Sequence, residues 1–177
     1  MTMANSGRIV AALTSSQLQQ RWQSTTEEEM LADYEGRAEL DPDGEIVLTP
    51  PPSFVHQRIA NELARQIENQ LGGSAILECP VVVDGVLIAD AAWFSGDRVN
   101  AITTPAAERP EIVLEVTSPR NTKRGLRSKA ARFLAHGAQE VILVELDGTI
   151  HFISAAGENA SSRFGLRLTL PPNTYPL

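Results

Sequence analysis

Pro110-Glu111-Ile112-Val113-Leu114-Glu115-Val116-Thr117-Ser118-Pro119 is the stretch on which the fold turns. After Pro110 the run Ile112 to Val116 reads as a strand buried on both faces, broken by a single acid, Glu115. Downstream, Leu126, Ala130, Phe133 and Leu134 fit a 3.6-residue period, and Gly137 ends that helix before an apolar strand from Glu140 to Leu146. A helix between two apolar strands suits a right-handed crossover, which sets the strand at Ile112 beside the one at Val141 in a mixed sheet.

Upstream, the apolar segment Ala75 to Val83, the turn Asp84-Gly85 and the segment Val86 to Phe94 form a β-hairpin. Before it, Ser53 caps a helix whose Val55, Ile59, Leu63 and Ile67 recur every four positions, and Gly72-Gly73 stops it. Two short strands, Arg37 to Leu40 and Glu45 to Thr49, flank the turn sequence Asp41-Pro42-Asp43-Gly44, and Pro50 to Pro52 end the second. Thr26 and Glu29 have capping-box spacing and predict a helix beginning at Thr26. Toward the C-terminus, Asp147-Gly148 turns into Thr149 to Ser154, and a last strand is expected over Arg163 to Leu170. From Val55 the order is helix, three strands, helix, strand. The fold class is α/β, with a Gln- and Ser-rich helical lead over 1–25, its first twenty residues expected to be dispensable for folding, and one domain over 26–177.

A chain of 177 residues is one domain's length, and 42% hydrophobic with 21% charged residues is ordinary for a soluble globular protein. The early apolar run Ile9 to Leu13 is too short to cross a membrane, so a cytoplasmic location is expected. Cys79 is the single cysteine and reads as core. A net charge of -7 disfavours a protein that coats nucleic acid by bulk electrostatics. The basic residues Arg120, Lys123, Arg124, Arg127, Lys129 and Arg132 are nevertheless clustered, either as a solvated helix face or as a phosphate-docking patch.

Glu115 carries the most information. A carboxylate in a buried strand is costly without a cation or hydrogen bonds, so it is half of an ion pair or a ligand. Alternation turns Val113, Glu115 and Thr117 to one face and Ile112, Leu114 and Val116 to the other. Asp90, at the end of the apolar run Val86 to Ala89, is a strand-end acid alone. With Glu115 it offers two hard oxygen donors suited to magnesium or manganese. Removal of either carboxylate is expected to leave the metal-free protein at least as stable. Lys129 borders the inward stripe of its helix, where it either snorkels or serves such a site.

Four segments together resemble the Uma-type family of putative restriction endonucleases, within the PD-(D/E)XK nuclease superfamily: residues 38–52 with His56 close behind, 84–93, 110–119 and 128–144. The resemblance covers roughly residues 35–154 and implies a restriction-endonuclease-like core with DNA phosphodiester hydrolysis. It further implies that Asp90, Glu115 and the Val116 carbonyl bind Mg2+ or Mn2+, with Glu39 at the margin. Thr117 stands where the superfamily motif has lysine, and the resemblance supplies that lysine from the next helix, at Lys129. Ala89 replaces a proline that only shapes the backbone. His56 would reach substrate, orient a carboxylate or bond a backbone group, whereas His136 and His151 belong to no constellation and Trp93 and Phe94 read as core. Arg120, Lys123, Arg124 and Arg127 would dock DNA, and analogy with restriction enzymes makes a homodimer the expected assembly. The rival reading is a nuclease-fold module that binds DNA or protein without useful catalysis.

Overall fold

In the computed structural model, residues 12–27, 31, 33–119 and 122–172 are described. The elements are α1 (Ser15–Thr26), β1 (Arg37–Leu40), β2 (Ile46–Thr49), α2 (Phe54–Leu71), β3 (Ser74–Val82), β4 (Val86–Phe94), α3 (Gly96–Val99), β5 (Ile112–Val116), α4 (Lys123–Ala135), β6 (Glu140–Val144), β7 (Ile150–Ser154) and β8 (Gly157–Asn159). One sheet runs in the order β2-β1-β4-β5-β6-β7-β8, with β3 paired to β4. β5 and β6 are parallel, as the crossover through α4 requires, and the other pairs are antiparallel.

A helix covers each face. Ala130 and Phe133 of α4 pack with Val113, Val141 and Leu143. Ile59, Leu63 and Ile67 of α2 pack with Ile112, Leu114, Val116 and Ile142 on the other side. The alternation read along β5 is therefore real, and it puts Glu115 on the α4 face. Ser53 caps α2 by accepting from the His56 N–H, and Gly72 ends it with a positive φ of 69°.

At both ends of the chain the structure departs from the sequence reading. Thr26 does not open a helix. It closes α1, which starts with a capping box at Thr14 and Gln17, and residues 28–30 of the predicted helix lie outside the described residues. Nor is the lead a spectator. Leu18 and Trp22 bury against Leu40, Val82, Val86, Ile88 and Ala106, while the Gln19 side chain exchanges two hydrogen bonds with the Ala106 backbone, at 2.7 and 2.9 Å. Two large apolar residues spaced four apart in a polar segment make a narrow stripe, which is why the sequence reads as dispensable.

Residues 163–170 form no strand. Phe164, Leu166, Leu168 and Leu170 do alternate and do pack, but onto the cluster under α2. Their backbone partners are glutamine side chains: Gln66 exchanges bonds of 2.7 and 2.9 Å with Thr169, and Gln70 exchanges two of 2.9 Å with Arg167. A primary amide has the donor and acceptor of a neighbouring strand, so a period-two pattern is satisfied by a helix. The sheet ends instead at the short β8.

β4 frames the site. β3 pairs along it from Val82↔Val86 to Ser74↔Phe94, while its other neighbours are β1, at Val86 only, and β5, at Ala91 to Trp93. β1 and β5 thus part around Ile88 to Asp90. The pair Glu78–Asp90 is missing from the β3–β4 ladder, and Glu78 has a left-handed φ of 48°. Leu87 and Ala89 pack on the α4 side whereas Ala91 and Trp93 pack on the α2 side, so strand alternation breaks at Asp90.

Candidate active site

The gap left by the parting strands opens into a cavity of about 730 Å³ whose walls include Arg37, Glu39, His56, Asp90, Glu115 and Lys129. Residues far apart in the chain meet there because β1, β4, β5 and the helices α2 and α4 converge on it. Backbone groups of Ile88 that find no strand are taken up by side chains. Its N–H donates to Glu39 Oε1 at 2.9 Å, and its carbonyl accepts from Lys129 Nζ at 2.6 Å.

Lys129 reaches Glu115 Oε1 at 3.1 Å and Glu39 Oε1 at 3.5 Å, so the partner demanded by the buried Glu115 is supplied one helix away. Burial pushes the Glu115 pKa up from 4.5 to about 7, against the pull of the Lys129 charge and with the help of Asp90. Burial works against the charged form of Lys129, but Glu115, Glu39 and Asp90 outweigh it and raise its pKa, so the ammonium stays charged.

Asp90 is held differently. Oδ2 accepts from the Val116 N–H at 2.7 Å and lies 3.0 Å from His56 Nε2, and Oδ1 lies 2.7 Å from Arg37 Nη2. His56 Nε2 is also 2.9 Å from the Val116 carbonyl; with acceptors on both sides, Nε2 must carry the proton. Burial raises the Asp90 pKa, but His56, Arg37 and Lys129 overcome it and hold the carboxyl below its usual range. For His56, burial alone lowers the pKa, and the Asp90 carboxylate more than reverses this. His56 therefore orients a carboxylate and bonds a backbone group at once.

Sequence reasoning missed Arg37 and Glu78. Arg37 lies between Asp90 and Glu78, with Nη2 at 2.5 Å from Glu78 Oε1 and Nε against Oε2, and Gln57 donates to the same Oε1 at 2.6 Å. The available signal was alternation, since Arg37 and Glu39 share one face of β1. Nothing in the sequence announces the backbone turn that aims Glu78.

Asp90 Oδ1 and Glu115 Oε1 are buried and, despite their cationic neighbours, have no aligned hydrogen-bond donor. Two such oxygens fit magnesium or manganese, which bind few carboxylates and keep waters or phosphate oxygens for the rest. Among the described residues no group of three His, Cys, Asp or Glu forms a metal cage, so Val116 and solvent or substrate would complete the shell.

The expected DNA-docking residues scatter. Arg120 lies outside the described residues. Lys123 pairs with Glu145, Arg127 with Glu158 at 3.2 Å, and Arg132 with Asp84 at 2.6 Å. Arg124 is exposed and has no partner among the described residues. His151, read as solitary, bridges Glu158 at 2.6 Å and Glu145 at 3.2 Å. Cys79, Trp93 and Phe94 are core, and burial pushes the Cys79 thiol up to about 12. No helix among the described residues is long and apolar enough to cross a membrane.

Among solved structures the chain resembles one titled "Crystal structure of a putative nuclease belonging to DUF820" from Anabaena variabilis. The TM-score is 0.65 and the identity 17%, with 85% of this chain and 88% of that one covered. That likeness shows the fold. Among curated proteins no sequence matches. The family model Uma2, described as "Putative restriction endonuclease", matches residues 26–165, and the chain belongs to that nuclease family.

Proposed function

We propose that the protein is a metal-dependent endonuclease that hydrolyses DNA phosphodiester bonds, with Asp90, Glu115 and the Val116 carbonyl holding Mg2+ or Mn2+. The observation that carries this reading is the meeting of Asp90, Glu115, Glu39 and Lys129 in one cavity, from three strands and a helix. A bound divalent ion supplies Lewis acidity, polarising the scissile phosphate and acidifying a water. Asp90 is ready for this role because Arg37 and His56 keep it ionised. Lys129 holds a permanent positive charge against Glu115 and offsets negative charge building on the phosphorane-like transition state, or holds the attacking water. Glu39 keeps the Lys129 ammonium and the Ile88 backbone in register.

DNA docking falls to Lys123, Arg124 and Arg127 together with Arg120, a cytoplasmic location gives access to DNA, and a homodimer would cut both strands. The second reading, a nuclease-fold module that binds DNA or protein without cutting, draws on the acidic partners already seated on Lys123 and Arg127. Plasmid cleavage in Mn2+ by the wild-type chain and by Asp90→Ala and Lys129→Ala separates the two. Cleavage lost in both variants supports the enzyme; no cleavage by wild type under any divalent ion rejects it.

A further inference from the structure

Among the described residues, Lys129 and Arg37 are the two permanently cationic side chains on the cavity wall, and they are committed to different degrees. An ammonium has three N–H groups, and Lys129 faces three acceptors, Ile88 O at 2.6 Å, Glu115 Oε1 at 3.1 Å and Glu39 Oε1 at 3.5 Å. A guanidinium has five. On Arg37, Nη2 donates to Glu78 Oε1 and also faces Asp90 Oδ1 at 2.7 Å, while Nε lies against Glu78 Oε2 without an aligned hydrogen bond. Nη1 has no partner among the described residues and is not one of the buried atoms left without one, so it stays accessible on a residue that lines the cavity.

The fork is also held rigidly. Gln57 fixes Glu78, and Asp90 is fixed by the Val116 N–H and His56. A guanidinium edge matches the spacing of phosphate oxygens, and one already immobilised loses little freedom on binding. A phosphodiester entering this cavity meets Glu39, Asp90 and Glu115 and needs a donor not already engaged. Resting on the nuclease reading, we infer that Arg37 contacts the phosphodiester substrate, its Nη1 edge donating to a non-bridging phosphate oxygen.

The test is DNA binding by the full chain in Ca2+, read by fluorescence anisotropy of a labelled duplex over a range of salt, with Mn2+ affinity measured by calorimetry. Arg37→Gln is expected to weaken DNA binding about tenfold and to reduce the slope of log K against log salt by about 1, while Mn2+ still binds. Arg37→Lys should restore the slope but bind DNA several-fold more weakly than wild type. An unchanged slope with weakened Mn2+ binding would make Arg37 a positioning residue for Asp90 and overturn the inference. If Arg37→Gln does not fold, Arg37→Lys decides, and wild-type affinity in that variant overturns it. Wild-type cleavage in Mn2+ with an unchanged slope fails this inference alone, whereas a wild type that neither binds nor cuts DNA fails the nuclease reading with it.

Discussion

Asp90 and Glu115 line one cavity from neighbouring strands, both almost fully buried, yet their surroundings drive them in opposite directions. Asp90 meets a guanidinium, an imidazole and a backbone N–H, and is held ionised. Glu115 meets one ammonium, with Asp90 and Glu39 adding repulsion to the cost of burial, and its pKa rises to about 7. Burial is common to both, so the number of donors aimed at each carboxylate decides the outcome. The Asp90 half is balanced by two cationic partners. The Glu115 half is left short of positive charge.

The largest effect expected from this contrast is that of Asp90→Ala, which removes the buried member of the network and leaves the half-buried Arg37 and Glu78 without it. Thermal denaturation in metal-free buffer should show a loss of about 3–5 kcal/mol, as for breaking a buried ion pair, together with loss of Mn2+ binding. This reverses the expectation from sequence that either carboxylate can be removed freely. An unchanged melting temperature would break the comparison.

Next comes Lys129→Ala. Its cleavage rate should fall about a hundredfold or more while Mn2+ affinity persists, the pattern of a group engaged in the transition state. Single-turnover kinetics alongside calorimetry measure both, and a full rate would reduce Lys129 to a structural counter-ion of Glu115.

Glu115→Gln sharpens the comparison through pH. A carboxyl with a raised folded pKa favours folding when protonated, a contribution fully present below about 4.5 and lost as pH rises through about 7. Metal-free Glu115→Gln should therefore melt a few degrees above wild type at alkaline pH and lose that advantage in mild acid. Asp90 has the opposite sign: its depressed pKa stabilises the fold above the ordinary carboxylate range and is lost as pH falls through the folded value. A Glu115→Gln gain that persists unchanged into acid would contradict the raised pKa.

The smallest effect is expected at Arg127, whose pair with Glu158 is exposed on both sides. Arg127→Ala should leave the melting temperature nearly unchanged and weaken DNA binding only slightly, more at low salt, with the saturated cleavage rate unchanged. Anisotropy at two salt concentrations checks this, and a collapse in cleavage rate would move the chemistry toward the open end of α4.

The crossover β5-α4-β6, the hairpin, the α2 stripe and its caps were all legible, because strand and helix periods and turn residues are local properties of the chain. Glu115 declared its need for a cation by its position in an apolar strand, and the family resemblance pointed to Lys129 as the source. The Gln-rich α1 and the extended C-terminal segment misled because their partners, the start of β4 and the glutamines of α2, lie far away in sequence.

What the sequence determined by itself was the order of the central strands and helices, the two carboxylates and the family. Only the tertiary structure decided how each carboxylate is charged and what stands beside it. Arg37 and Glu78 become site residues because β1 and β5 part along β4 and Glu78 takes a left-handed backbone, an arrangement set by packing across the sheet. The basic residues of α4 lose much of their apparent patch because Glu145, Glu158 and Asp84 come from other parts of the chain to meet them. Charge acts through space, so its balance at any point depends on contacts that no local pattern encodes.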